Sequence, residues 1–107
     1  MAINFFRNVT VDLTTSSETI YTAPVGFSAI VLMAQISNIT SNPYAANVAV
    51  LSNSTETSLV TGFAIPANDA AAVLTGKLVL EAGQSLVASA NNNSSLEMVL
   101  SILESQN

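Results

Sequence analysis

The chain has 107 residues, half of them hydrophobic and only 8% charged, with seven acids, two bases and neither histidine nor cysteine. That length fits one domain with a single core. The two cations, Arg7 and Lys77, cannot furnish the basic footprint that a phosphate backbone or an anionic membrane surface requires, which excludes nucleic acid and membrane as partners. The usual charged surface is missing, so Ser, Thr and Asn must supply solubility, or copies of the chain or a partner must cover part of the surface. The longest apolar run, 29–34, is about a third of the ~20 residues a membrane helix needs. The opening residues lack the charged-then-apolar order of a signal peptide, so the expectation is a protein made and used without export.

Residues 3–13 alternate: Ile3, Phe5, Val9, Val11 and Leu13 share one parity, and Asn4, Asn8, Thr10 and Asp12 the other. That is a strand with one buried face. Arg7 breaks the apolar parity and Phe6 the polar one, at a place where an N-terminal arm, 1–7, would lie on a neighbour. A turn at 14–17 leads to a short strand, 18–23, stopped by Pro24-Val25-Gly26, where Gly26 permits the positive φ of a tight turn. Residues 28–40 form the longest strand; their first half is apolar at both parities, as in a central or partner-covered strand. Strands follow over 46–53 and 56–64, then a turn at 65–69. Residues 70–73 read as a strand or one helical turn, followed by strands at 77–80 and 85–90 and a loop at 91–95.

The last segment fits two periods. As a strand, Leu96, Met98, Leu100 and Ile102 share a face; as a helix, Leu96, Val99, Leu100 and Leu103 do, with Ser94 and Glu97 resembling a capping box. The strand is preferred because every preceding unit is one. The fold class is therefore all-β: one antiparallel β-sandwich, jelly-roll-like, of about eight strands. Ile30, Leu32, Val48, Val50, Leu86 and Leu100 lie on the more apolar parities and are expected inside.

No catalytic chemistry is expected. Without His or Cys a Ser-His-Asp arrangement and thiolate metal sites are impossible. Asp12, Glu18, Glu56, Asp69, Glu81, Glu97 and Glu104 fall at strand ends and turns, where solvated charge explains them better than a carboxylate pair across a cleft. Asn68, Asp69 and Glu81 offer oxygen ligands but no dense acidic loop, so neither metal nor cofactor is expected. Tyr21, Tyr44, Phe27 and Phe63 read as packing rather than as sugar-stacking residues. Phe5 and Phe6 differ: adjacent strand residues point oppositely, so one core face cannot cover both. The sequons Asn8-Val9-Thr10 and Asn38-Ile39-Thr40 are accidents of an Asn/Thr-rich composition.

Tyr21-Thr22-Ala23-Pro24-Val25-Gly26, running into Ala29-Ile30-Val31-Leu32, resembles the opening of small virion proteins of tailed bacteriophages, especially those of cyanobacterial hosts. Ile65-Pro66-Ala67-Asn68-Asp69 and Leu74-Thr75-Gly76-Lys77-Leu78-Val79-Leu80-Glu81-Ala82-Gly83 resemble their second half. The resemblance implies a β-sandwich virion component: head decoration, cement, or a tail or fibre module. The expectation carried forward is a decoration or cement protein on the outer surface of the head. It would bind the major capsid protein lattice as a homo-oligomer, a trimer, with Phe5, Phe6 and Arg7 as partner-binding residues. The rival is a tail-associated module binding host carbohydrate through exposed aromatics in a concave site.

Overall fold

The computed structural model of the chain describes residues 3–107. Its strands are β1 (Asn4–Asp12), β2 (Glu18–Thr22), β3 (Phe27–Asn38), β4 (Tyr44–Ser52), β5 (Thr55–Ile65), β6 (Ala70–Ala72), β7 (Leu78–Leu80), β8 (Ser85–Ala90) and β9 (Leu96–Gln106). Two antiparallel sheets result. One runs β1-β9-β3 and then β6, with β7 also on β3; the other runs β2-β8-β4-β5. Because β9 occupies one side of β3 along its whole length, β7 at 29–31 and β6 at 35–37 share the other side. Nine strands thus fill the eight positions of a jelly roll.

The ambiguous last segment is the strand β9. Leu96, Met98, Leu100 and Ile102 are all buried, whereas Val99 and Leu103 are only half-buried on the opposite face. A helix would have turned Met98 and Ile102 away from the core. As a strand the segment also has its backbone paired on both sides, by β1 and by β3. Facing it, β8 and β4 supply Leu86, Ala88, Ala46 and Val48, and one apolar cluster joins the two sheets.

Val48, Leu86 and Leu100 lie in that core as expected, and Val50 is half-buried against it. Ile30 and Leu32 do not. The buried apolar residues of β3 are Ala29 and Val31, then Ala34 and Ile36, a change of parity inside one strand. The register explains it: Val31 pairs with Ile102 and Met33 with Ser101, so Leu32 is the extra residue of a β-bulge. The bulge turns both Leu32 and Met33 outward, each more than a third exposed. Parity alone chooses the bulkier pair, Ile30 and Leu32; the strand buries small Ala29 and Ala34 instead, which lets the sheets approach.

Residues 4–7 of the expected arm, 1–7, take a place in the chain's own sheet. Asn4 through Arg7 pair with Ser105 through Ile102, so the segment is the first half of the edge strand β1. Met1 and Ala2 lie outside the described residues.

Turn chemistry closes the strands. Gly26 has φ 84° in the turn closed by Phe27 N–H donating to the Pro24 carbonyl at 3.1 Å. The β4–β5 hairpin turns on Asn53 and Ser54, both at positive φ, as a two-residue hairpin loop of the primed type requires. Asn38, at the end of β3, is buried and fully used. Its amide donates to the Ile65 carbonyl at 3.0 Å and the Asn42 carbonyl at 2.7 Å, and its Oδ1 accepts from Thr40 N–H at 2.9 Å and Thr40 Oγ1 at 2.7 Å. The amide of the Asn38 sequon is thereby occupied by structural hydrogen bonds. Removing this side chain strands the buried Ile65 carbonyl. Asn38→Ala is expected to cost about 2 kcal/mol, read as a lowered midpoint with unchanged slope in urea unfolding.

Candidate interaction surface

The three residues singled out near the N-terminus, Phe5, Phe6 and Arg7, do three different things. Phe5 and Arg7 face inward, opposite Glu104 and Ile102, and Phe6 faces outward, opposite Leu103. The Phe5 ring tilts 45° to Phe27 with centroids 6.0 Å apart, an aromatic pair at the end of the sandwich. Arg7 is not left unpaired. Its Nε donates to Glu104 Oε1 at 2.7 Å, and its side chain keeps 56% of its surface in solvent while that of Glu104 keeps 3%.

Glu104 is the residue that sequence reading assigns to solvent and the structure places inside. It sits on the inward face of β9, and from the opposite sheet Tyr21 Oη donates to its Oε2 at 2.5 Å. One buried carboxylate therefore ties the edge strand β1 to β2 across the open side of the sandwich. Burial pushes its carboxyl up, but the hydrogen bonds from Tyr21 and Arg7 and the Arg7 charge outweigh burial and hold it below the ordinary glutamate value. Burial and the Glu104 contact push the Tyr21 phenol well above its usual range, so it stays a donor at any physiological pH. The period-2 reading of β9 puts Glu104 on the face of Ile102 and Leu100. That parity was the available signal; the identity of its partners, on strands distant in sequence, was not.

The outward face of the same sheet carries an apolar row. Phe6 pairs with Leu103, Leu103 with Ile30, and Ile30 with Val79, so the four side chains stand in line across β1, β9, β3 and β7. The ends of the row are its most exposed members, Phe6 at 78% and Val79 at 58%. Leu32 and Met33, turned out by the bulge, flank it. Opposite them stands small Ser101, and a groove of about 210 Å³ opens there between Phe6 and Leu32, floored by Ser101 and Ile102. Lys77 and Glu81 are exposed at the two ends of β7, and Glu81 belongs to the β7–β8 turn, where it lines a cleft with Ser52, Asn53 and Gln84.

The remaining candidates fall to structural roles. Tyr44, Phe63 and Tyr21 are half-buried against the core. Asn68 has φ 57° and Asp69 Oδ1 accepts from Ala70 N–H at 2.8 Å, which is turn chemistry. Asp12 and Glu97 are directly opposed residues of β1 and β9, both exposed, beside a shallow depression that Thr10 and Val99 also line. No third metal-ligating side chain joins them among the described residues.

No protein-family model matches this sequence, and no curated protein matches it. Solved structures do resemble its fold. A chain from Bacillus endospore appendages, a family of disulfide-linked pili, superposes with TM-score 0.59 and 9% identity, over 99% of this chain and 88% of that one. A chain from the acid-stable capsid of Helicobacter pylori bacteriophage KHP30 superposes with TM-score 0.53 and 12% identity, over 97% of this chain and 90% of that one. A chain of the cyanophage Pam1 capsid asymmetric unit aligns at TM-score 0.47 with 17% identity, over 99% of this chain and 85% of that one, too distant to carry weight. At these identities the shared property is the two-sheet fold.

The Glu104 contact generates a prediction with a defined sign. Because the folded-state value is lowered, its stabilisation is present above the unfolded-state value and lost as pH falls through the folded one. Glu104→Gln keeps the shape and removes the charge. Near neutral pH it is expected to lower the unfolding free energy by about 1–2 kcal/mol, with the exposed end of Arg7 limiting the loss. The gap between variant and parent should narrow below about pH 4.3. Urea titrations at a series of pH values measure this directly; a gap independent of pH would remove Glu104 as its cause.

Proposed function

We propose that this protein is a structural subunit of a phage particle, a decoration or cement protein that sits on the outer surface of the head and stabilises the shell by binding the major capsid protein lattice. The observation that carries the reading is the exposed apolar row ending in Phe6 on a rigid, charge-poor jelly-roll face. A face of that kind suits wide, permanent contacts more than diffusive encounters. The likeness of the whole fold to a chain from an assembled phage capsid supports it. The likeness to a pilus chain supports an assembly role more generally, although this chain, lacking cysteine, has no disulfide linkage to offer.

A cement protein prefers the assembled lattice to free shell subunits, and its binding therefore stabilises the shell by mass action. Such a role asks nothing of acid–base chemistry, in keeping with a chain that has no histidine and whose acids are scattered. Of the proposed partner-binding residues, Phe6 is the contact residue, because Arg7 is engaged by Glu104 and Phe5 by Phe27. Self-association belongs to the same reading, with a trimer as the form the sequence leads one to expect. Carbohydrate adhesion is the weaker rival: Phe6 stands on a flat sheet with its neighbour Phe5 on the opposite face, so the pair makes no concave aromatic site.

The test is co-sedimentation of the purified chain with head shells of the same virus stripped of it. Saturable binding and a raised shell melting temperature are expected. Phe6→Ser should reduce occupancy on the order of tenfold, while leaving the chain's own unfolding within ~0.5 kcal/mol because the residue is exposed. Binding to host envelope glycans without binding to shells would transfer the protein to the adhesion class.

A further inference from the structure

We propose that the free edge of β1 pairs with β1 of a second copy, antiparallel about a two-fold axis through Asn8, so that two sheets join into one. The contact is made by backbone at the edge of the sheet. It leaves the outward face, Phe6 included, to the shell, and it stands independently of the cement reading.

The ladder between β1 and β9 shows which backbone groups are free. Gln106 N–H donates to the Ile3 carbonyl at 2.9 Å and Leu13 N–H to the Leu96 carbonyl at 2.9 Å, and both pairs continue the unbroken register of the two strands. In an antiparallel ladder such hydrogen-bonded pairs alternate with non-bonded ones. The odd residues from Ile3 to Leu13 therefore spend their N–H and C=O on β9, while Asn4, Phe6, Asn8, Thr10 and Asp12 aim theirs the other way. All five are exposed, and no strand among the described residues pairs with that side of β1.

Sheet edges are normally blunted against pairing, and the other edges here are. β6 and β7 have three residues each, and β2 has five with a register break between Thr19 and Tyr21. β5 is longer but its register against β4 breaks twice, with Gly62 at φ 61° in one of the breaks. β1 runs nine residues without a bulge, a proline or a lysine. Its two charges do not guard it: Arg7 turns inward to Glu104, and Asp12 is the last residue of the strand.

The edge is complementary to itself, which selects a second copy. An axis through Asn8, the middle of the five free residues, sets Asn8 against Asn8, Phe6 against Thr10 and Asn4 against Asp12. Each free residue then finds both its partners, about ten backbone hydrogen bonds, and moving the axis two residues either way loses about four of them. Asp12, the only acid of the strand, meets the amide of Asn4, whereas parallel pairing would set Asp12 beside Asp12. Asn8 Oδ1 accepts from Ser101 Oγ at 3.2 Å, which leaves the Asn8 amide N–H groups to donate across the axis. On the inward side Phe5, 45% exposed, comes opposite half-buried Val11 of the second copy, an aromatic and β-branched pair. The strip is about 30 Å long and about 10 Å deep, roughly 300 Å² on each copy. That is below a standard interface, so the contact is reversible and favoured where a lattice already holds copies close. Being isologous, it closes after two copies and gives a dimer rather than the trimer expected from sequence.

Because the chain has no cysteine, introduced cysteines read the register directly. Equivalent Asn8 Cα atoms across the axis stand about 5.5 Å apart, a span that a disulfide bridges. Asn8→Cys should form a disulfide-linked dimer on the order of tenfold faster than Ser58→Cys, an exposed control on β5 at the far edge of the other sheet. Asn4→Cys alone and Asp12→Cys alone should not exceed the control, since the axis separates each from its equivalent by about 27 Å. Combining Asn4→Cys with Asp12→Cys in one chain should restore fast linkage. Sedimentation equilibrium of the parent should show a reversible dimer, weakened more than about tenfold by Asn8→Pro, whose lost N–H faces away from β9. If Asn8→Pro does not fold, the linkage rates decide. Asn8→Cys no faster than the control, fast linkage of Asn4→Cys alone, a trimer, or a dimer indifferent to a folded Asn8→Pro would each overturn the proposal. Shell binding is scored separately: a chain that dimerises yet ignores shells defeats the cement reading alone, and one that binds shells without dimerising defeats this inference alone.

Discussion

The sheet that carries the apolar row takes its register from β9. The strand pairs along its length with β1 on one side and β3 on the other, and each pairing fixes which residues of the neighbour face inward. A one-residue slip would expose Leu96, Met98, Leu100 and Ile102 together and bury Glu97, Val99, Ser101 and Leu103 in their place. Burying one large aliphatic side chain is worth roughly 1.5–3 kcal/mol, so four of them specify the register more strongly than any turn does. The bulge at Leu32 is the device by which β3 accepts that register. It lets the strand present Ala29 and Val31 before it and Ala34 and Ile36 after it to the same core.

Glu104 continues the inward series of β9 one step past the apolar residues, where the sandwich is no longer closed by side chains from both sheets. An apolar residue at this position would have been the simpler choice for stability, since a buried ion pair is often no better than a hydrophobic replacement. The carboxylate instead supplies two acceptors aimed in different directions, one to Arg7 on β1 and one to Tyr21 on β2. The edge strand is thus held by a directional contact as well as by its ladder. With β1 fixed in place, Phe6 stands at a defined position on the outer face rather than swinging on a loose terminus.

Local pattern determined what sequence reading could recover. Alternation and turn signals located the strands, β9 included, except that residues 70–73, the strand β6, stayed open between a strand and a helical turn, and the Pro24-Val25-Gly26 punctuation placed the β2–β3 turn correctly. Two features stayed hidden for physical reasons. A bulge changes parity without changing composition, so the apolar run around Leu32 looked the same with or without it, and the bulkier residues took the inside by default. The Arg7–Glu104 pair joins residues 97 apart, a contact created by topology alone. Without it Arg7 read as a cation in search of an external partner, and residues 1–7 as an arm. Glu104 meets that need within the chain and leaves Phe6, at 78%, the most exposed of the three side chains.

The economy of charge then becomes intelligible as one arrangement. A domain with two cations cannot build the mixed-sign surface that keeps ordinary monomers apart and soluble. One of the two is engaged by the buried carboxylate, and the other stands beside Val79 at one end of the apolar row. Elsewhere the surface is rich in Ser, Thr and Asn, neutral groups that hydrogen-bond water, with the exposed acids scattered singly among them. Specificity must then come from shape and from the few charges present. On the outward sheet the shape is an apolar line of four side chains, Phe6, Leu103, Ile30 and Val79.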